Sequence, residues 1–271
     1  MEQRLPLRAA AVVVWAAAGE VWAAVAPEGA KPVARRAILS LILFGIAFGQ
    51  VEAAVVIYLR TIAAPIRSSL GLPSGEPMPL FGPSNLGSLQ HLMYIELARE
   101  AATLLMLAAV ALAVTRNIRT WLAAFSIAFG VWDLAFYFWL KVMVGWPASL
   151  NTWDVLFLLP VPWAAPVSAP AIVALSLAVG GCFALAHPPD KVSRLAWFCL
   201  LGGAVVLLTS FMWDWQHWVQ GGAPRGFPWA VFGLGEMLGI AGFALGVLPI
   251  MRQSDQLPDF DGLRGTQQAG E

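Results

Sequence analysis

Six apolar runs, each about 20 residues long, constrain this chain more than any other feature of its sequence. At about 1.5 Å per residue, a helix of about 20 residues crosses the roughly 30 Å hydrocarbon layer of a bilayer. The composition agrees, because 59% of the 271 residues are hydrophobic and only 12% are charged. We therefore expect an all-α, polytopic membrane bundle of six transmembrane helices over residues 37–251, in contact with the lipid bilayer. The spans are predicted near residues 37–59, 95–115, 120–142, 165–187, 195–214 and 229–251.

The positions of Lys and Arg predict how the six spans are oriented. Basic residues occur in the tight connections at 116–119 and 190–194, and also beside the first and last spans. Alternation of the spans places all of these on one side, and short loops rich in Lys and Arg are typical of the cytoplasmic side. The sequence therefore predicts a bacterial-type inner membrane protein with a cytoplasmic C-terminus and with its longer connections on the outer face.

Three segments depart from the simple pattern of spans. Residues 1–36 include an apolar stretch at 8–26 with Glu20 in its middle, which predicts either an interfacial helix or a seventh span. Residues 252–271 are predicted to form a disordered cytoplasmic tail. Residues 154–170 contain four prolines in an otherwise apolar stretch, which an uninterrupted helix would not tolerate. We expect a re-entrant or interfacial segment there, placed to wall a pocket.

Charge balance and motifs exclude several classes of function. The chain has 16 basic and 16 acidic residues, so it lacks the basic surface of a nucleic-acid-binding protein. The sequence contains no P-loop, no G-x-S-x-G and no H-E-x-x-H motif. Its two cysteines, Cys182 and Cys199, lie inside apolar runs and are typical of buried thiols. These observations argue against a nucleotide-dependent enzyme, a serine hydrolase and a thiolate metal site.

Four of the spans carry a carboxyl group at nearly the same predicted depth. Counted from the cytoplasmic end of each span, Glu52, Glu100 and Glu236 lie 15 positions inward and Asp133 lies 13 inward. The helical rise places this layer about 20 to 23 Å from the cytoplasmic boundary. An unpaired carboxylate at that depth costs several kcal/mol unless a proton, a cation or water compensates it. The layer therefore predicts a functional site in the outer half of the membrane.

A second set of polar residues lies further outward and indicates a metal site. Glu96 lies one turn from Glu100, Asp154 belongs to the proline-rich segment, and Asp214 and His217 at the outer end of the fifth span share a helix face by their i,i+3 spacing. Carboxylates combined with imidazoles suit iron, manganese or zinc. The predicted transition-metal ligands are His91, Glu96, Glu100, Asp214, His217 and Glu236. The predicted catalytic residues are Glu52, Asp133 and Tyr137.

Together these residues predict an integral membrane metalloprotein, an enzyme that acts on an apolar or amphipathic small molecule near the outer face. Two other functions stay open. One is a proton-coupled or cation-coupled transporter that uses the buried carboxyl groups. The other is an accessory subunit of a larger membrane complex, bound to other membrane proteins or to further copies of the chain. A structural hydrogen-bond network would also explain the acids, and an aromatic belt would explain the outer Trp and Tyr residues.

Overall fold

The computed structural model describes residues 32–69, 90–189, 191–219 and 225–254. The predicted N-terminal helix over 8–26 and the tail beyond residue 254 lie outside the described residues.

The described part of the chain is mostly helical and includes one short hairpin. Six helices are long and apolar enough to cross a membrane, which confirms the six predicted apolar helices and indicates a multi-pass membrane protein. The elements are α1 (Pro32–Ser69), α2 (Gln90–Val114), α3 (Ile118–Val144), β1 (Trp153–Phe157), β2 (Trp163–Pro166), α4 (Ser168–Ala186), α5 (Arg194–Phe211), α6 (Trp215–Val219) and α7 (Trp229–Ser254).

Polar capping residues fix where two of the long helices begin. The Asn117 side chain accepts a hydrogen bond from the backbone N–H of Thr120 at the start of α3. Ser193 does the same for the N–H of Ala196 at the start of α5. At its other end α3 stops at Gly145, whose φ of 75° lies in the left-handed region that glycine adopts without strain. The short connections before α3 and α5 are therefore encoded locally.

Helices α1 to α4 form a bundle in which small residues allow close approach. A Cβ atom added at Gly130 of α3 would lie 2.3 Å from the backbone oxygen of Ala174 in α4. One added at Gly181 of α4 would lie 2.7 Å from the backbone oxygen of Ala123. Such contacts are typical of helices packed in membranes. The same bundle contains the larger apolar core, with fully buried side chains such as Ile127.

Helices α5 and α7 form a tightly packed pair. A Cβ atom added at Gly203 of α5 would lie 2.7 Å from the backbone nitrogen of Gly239, and one at Gly242 of α7 would lie 2.8 Å from that of Leu200. The pair contacts the bundle through α4 and through β2. Two packed regions, the α1–α4 bundle and the α5–α7 pair, thus make up the membrane helices of the described residues.

The outward surfaces of both regions are apolar. Leu105 on α2, Phe198 on α5 and Met237 on α7 are each at least 70% exposed. Side chains of this size in water would form a large unfavourable surface, whereas lipid tails solvate them well.

The proline-rich segment forms an antiparallel β-hairpin, which the all-α prediction does not include. Trp153 pairs with Pro166 and Asp154 with Ala165 across the two strands. Three of the prolines occupy the turn and the end of β2, where a missing N–H removes no essential ladder bond, and Pro170 lies in the first turn of α4. The prolines correctly indicate a break in the helix, but they do not by themselves predict strands.

The hairpin lies at one end of the helices. Trp163 of β2 stacks against Phe211 at the end of α5, with ring centroids 6.3 Å apart. Trp153 of β1 meets Phe227 just before α7. We call this the hairpin end, and it is the end where the candidate site lies.

Candidate functional site

A polar pocket of about 70 Å³ lies between α1, α2, α3 and the hairpin. This volume holds about five water molecules, at about 10 to 15 Å³ for each. Its lining includes five carboxyl groups, two guanidinium groups and one phenol, and we call it the acid pocket. The polar lining residues are Glu52, Arg60, Glu96, Arg99, Glu100, Asp133, Tyr137 and Asp154.

The acid pocket has more acidic than basic groups. Five carboxyl groups face only two arginines, Arg60 and Arg99, among the lining residues. With every group ionised, three negative charges would have no matching cation in the lining. Such an excess is unfavourable where water is scarce, so it favours bound protons or a bound cation.

One side of the acid pocket is an ion-pair network centred on Arg99. Its Nε atom donates to Oε2 of Glu96 at 2.8 Å, and its two terminal nitrogens contact Glu52 and Glu96. Both carboxyl groups are buried, with 8% and 5% of each residue exposed. The Thr103 hydroxyl reaches Glu52 at 3.4 Å. The network joins α1 to α2 and gives two of the five acids a partner.

Glu100 ties the hairpin to α2. Its buried carboxyl group accepts a hydrogen bond of 2.8 Å from the backbone N–H of Leu158, the residue that follows β1. A buried N–H in irregular backbone needs an acceptor, and this carboxyl group supplies it. The hairpin is therefore held over the pocket by one of the predicted site residues.

Asp154 of β1 lies on the opposite side, among groups from α1 and α3. The Tyr137 hydroxyl donates to its Oδ2 at 3.1 Å, and a terminal nitrogen of Arg60 lies 3.6 Å from its Oδ1. The Arg60 guanidinium also lies 4.2 Å over the Trp146 ring. Burial raises the pKa of Asp154 from 3.8 to about 6, although Arg60 and Tyr137 act in the opposite direction. This carboxyl group therefore holds its proton up to a higher pH than an ordinary aspartate does.

Asp133 is the acid of the pocket with the fewest stabilising contacts among the described residues. The residue is 9% exposed and lines the acid pocket. Within the described residues, no donor forms a hydrogen bond to its carboxyl group, and the charged group that acts on it is Asp154. Beside it, the buried Nε1 of Trp132 also has no acceptor in the part of the chain that the structure describes. Asp133 thus offers open acceptor positions to whatever occupies the pocket.

The structure brings together five of the predicted site residues. Glu52, Asp133 and Tyr137, predicted as catalytic residues, all line the acid pocket, as do Glu96 and Glu100, predicted as metal ligands.

The other predicted metal ligands do not line the acid pocket. Glu236 of α7 accepts a hydrogen bond from the Ser176 hydroxyl of α4, away from the pocket. Asp214 lines a separate cavity of about 10 Å³ beside Arg225, with room for about one water molecule. His217 lies on α6, and His91 lies in the first turn of α2 with its side chain outside the described residues.

The predicted shared helix face of Asp214 and His217 falls on a break between two helices. Helix α5 ends at Phe211, Asp214 lies in the following turn, and His217 belongs to the separate helix α6. The backbone N–H of His217 donates to the backbone oxygen of Asp214 at 3.0 Å. Aspartate favours turns over helix interiors because its side chain competes for local backbone groups, which is consistent with the break.

Across the described residues, no three His, Cys, Asp or Glu side chains come together as a metal site requires. The acids of the pocket are instead divided between Arg99, the Leu158 N–H and the pair formed by Tyr137 and Arg60. The transition-metal site stays a prediction.

Sequence reasoning does not identify several groups that shape the pocket. Thr103 lies four positions after Arg99 on α2, and this spacing indicates that both side chains lie on the same helix face. The backbone N–H of Leu158 and the ring of Trp146 leave no such signal, because both depend on how the chain folds back between α3 and α4.

In comparisons with known proteins, the chain matches no family model, and neither curated proteins nor solved structures give a significant match. Function therefore has to be inferred from the chemistry of the acid pocket.

Proposed function

We propose that the acid pocket binds protons and a small cation, and that the protein is a proton-coupled or cation-coupled membrane transporter. The observation that carries this proposal is the state of Asp133, a buried carboxyl group to which no described residue donates a hydrogen bond and which lines the same pocket as four other acids. A buried carboxylate without a partner is costly, so it takes up a proton or attracts a cation.

The two sides of the acid pocket differ in a way that suits exchange. Arg99 holds Glu52 and Glu96 in a network of charge-assisted bonds, which is a stable arrangement. The charge of Asp154 acts on Asp133, Arg60 is the cation near Asp154, and the pKa of Asp154 is about 6. Asp133 and Asp154 would bind and release the transported charge, while the Arg99 network keeps the helices in place.

The position of the pocket supports transport. It lies where an irregular hairpin meets three apolar helices, and broken secondary structure beside a polar cavity is a recurring feature of transporter sites. The α1–α4 bundle also has a buried apolar core that includes Leu107 and Ile127. Such a core would act as the closed barrier in one state of an alternating-access cycle.

Reconstituted protein tests this function. In proteoliposomes that contain a pH-sensitive dye, we expect a cation gradient to drive proton movement, and Asp133→Asn to reduce its rate at least tenfold. Glu236→Gln is the matched control, because it neutralises a half-buried carboxyl group in a membrane helix that lies away from the pocket. Wild-type vesicles that show no coupled flux with any monovalent or divalent cation would contradict the proposal.

The metalloenzyme remains a second candidate, and one observation favours it. The acid pocket gathers Glu96, Glu100 and Asp133 with the Tyr137 phenol, an oxygen-rich set of groups. Such groups suit manganese better than zinc or a thiolate-bound metal. Metal analysis of protein purified without chelators should then give about one equivalent per chain, and Glu100→Ala should abolish it. A metal content that is negligible in the wild type, or equal in wild type and variant, would argue against this candidate.

A further inference from the structure

We infer that the cation taken by the acid pocket is an organic ammonium, a small primary amine with an apolar tail, instead of a bare metal ion. This inference rests on the proposed function of the pocket as a cation site and specifies the chemical class of its ligand.

The lining of the pocket combines carboxyl groups with aromatic rings. Besides the acids, Trp132, Phe136, Tyr137 and Trp153 line it. Aromatic faces attract an ammonium group and also provide an apolar surface for its carbon chain. An ammonium group carries only hydrogen-bond donors, and the Asp133 carboxyl group has acceptor positions that no described residue uses.

One cation in the pocket lining, Arg60, already contacts both an aromatic ring and a carboxyl group. The Arg60 guanidinium lies 4.2 Å over the Trp146 ring while one of its nitrogens lies 3.6 Å from Asp154. A ring and a carboxyl group thus both contact a nitrogen cation here. Asp133, with Phe136 one turn along α3, offers the same combination of groups for a second cation.

The arrangement of the acids is less suited to a bare metal ion. Glu52 and Glu96 are engaged by Arg99, and Glu100 accepts the Leu158 N–H. Within the described residues no three acidic side chains meet, whereas a hard cation requires several oxygens at about 2.0 to 2.6 Å. An ammonium group needs only one or two acceptors at about 2.8 Å. The volume of about 70 Å³ equals about five water molecules, which fits an amine of about four non-hydrogen atoms.

The test measures binding to the full-length protein in detergent micelles at pH 7.5 and constant ionic strength. The probes are propylammonium chloride, its neutral counterpart 1-propanol, and manganese(II) chloride, followed by tryptophan fluorescence and by the shift in unfolding temperature. We expect saturable binding of propylammonium only. Asp133→Asn should weaken it at least tenfold. Phe136→Leu, which keeps apolar bulk but removes the ring, should weaken it about three- to tenfold. Glu236→Gln should leave it unchanged.

The outcomes separate this inference from the proposed function. Binding of manganese without propylammonium would overturn the ammonium ligand and leave a cation site in place. Binding of propylammonium that is equal in wild type, Asp133→Asn and Phe136→Leu would overturn the inference, because the amine would then bind outside the pocket. If none of the three probes binds and coupled flux is also absent, both the inference and the proposed function fail. Phe136→Leu keeps the test decisive if Asp133→Asn does not fold.

Discussion

Asp133 and Glu236 are both carboxyl groups on membrane helices, yet Asp133 is buried, Glu236 is half-buried, and they lie in very different surroundings. Asp133 belongs to the α1–α4 bundle and lines a pocket with four other acids and two arginines. Glu236 belongs to the α5–α7 pair and bonds to Ser176 across the contact with α4. The sequence places the two at similar depths. A position inside the membrane makes the ionised form of a carboxyl group unfavourable in free energy. The neighbouring residues decide whether the group can exchange a bound ligand or only forms a structural hydrogen bond.

The two regions do not differ in how their helices pack. Glycine contacts bring α3 and α4 together at Gly130, and they bring α5 and α7 together at Gly203. What distinguishes the bundle is the hairpin, which adds Asp154 and the Leu158 N–H to the helix residues. A membrane bundle thus gains a polar site where an irregular segment covers the ends of its helices.

The largest expected effect comes from breaking the helix contact beneath the pocket. At Gly130, an added Cβ would lie 2.3 Å from the backbone oxygen of Ala174 and 2.8 Å from the backbone nitrogen of Ala178, and neither backbone atom can move aside easily. Gly130→Leu should therefore prevent recovery of folded protein by size-exclusion chromatography in detergent. Gly202→Leu is the control, because nothing lies within 4 Å of its added Cβ. Equal yields of the two variants would contradict this account of the bundle.

The helices of this fold were predictable from sequence, but the hairpin was not. Length and hydropathy locate the six apolar helices, since lipid requires long, apolar and internally hydrogen-bonded segments. The two strands of this segment are short, and their pairing depends on contacts with α3 and α5, which no local sequence pattern reveals. The same limitation applies to the end of α5 at Phe211, where the apolar character of the sequence continues beyond the helix.

The sequence predicts how deep the site residues lie in the membrane, but not which way their side chains point around each helix. Counting along the helices groups Glu52, Glu100, Asp133 and Glu236, and the first three do line one pocket. Glu236 points elsewhere, because the rotation of α7 about its axis is set by its contacts with α5 and α4. Apolar periodicity does not fix that rotation in a helix that is apolar on every side.

A large effect is also expected on removing the cation that stabilises the pocket. Arg99→Gln leaves Glu52 and Glu96 buried without their shared partner, and breaking a buried ion pair on one side costs about 3 to 5 kcal/mol. The free energy of unfolding, measured by denaturant titration in micelles, should fall by that amount. The exposed Arg116 lies in the connection after α2, and Arg116→Gln should change stability by less than about 0.5 kcal/mol. A loss below about 1 kcal/mol for Arg99→Gln would mean that the network is not a structural element.

The hairpin side of the pocket should give stability a specific dependence on pH. The pKa of Asp154 is about 6 in the folded protein against an ordinary value of 3.8, so the folded state holds this proton more tightly than the unfolded state. Its contribution to stability is complete below about pH 4 and is lost as the pH rises through about 6. The total loss is of order 3 kcal/mol.

Asp154→Asn isolates that contribution. Asparagine keeps an acceptor for Tyr137 but does not titrate, so unfolding measured from pH 4 to 7 should show the wild type losing stability relative to the variant. Arg60 also acts on Asp154, and it remains in the variant. A stability difference that is constant over this pH range, or one of opposite sign, would show that the hairpin carboxyl group is not held in a buried, proton-binding state.

The smallest expected effect concerns the α5–α7 pair, and it tests whether Glu236 differs in function from Asp133. Ser176→Ala removes the hydroxyl that donates to the half-buried Glu236, and losing a hydrogen bond of this kind costs about 0.5 to 1.5 kcal/mol. Because this contact joins α4 to α7 away from the acid pocket, the loss should appear in the free energy of unfolding while proton-coupled flux stays at the wild-type level. Thr209→Ala provides a control on the exposed side of α5, where the hydroxyl bonds only to the Val205 backbone oxygen of its own helix. A fall in flux for Ser176→Ala, at unchanged stability, would mean that Glu236 belongs to the transport path and that the two carboxyl groups are functionally alike.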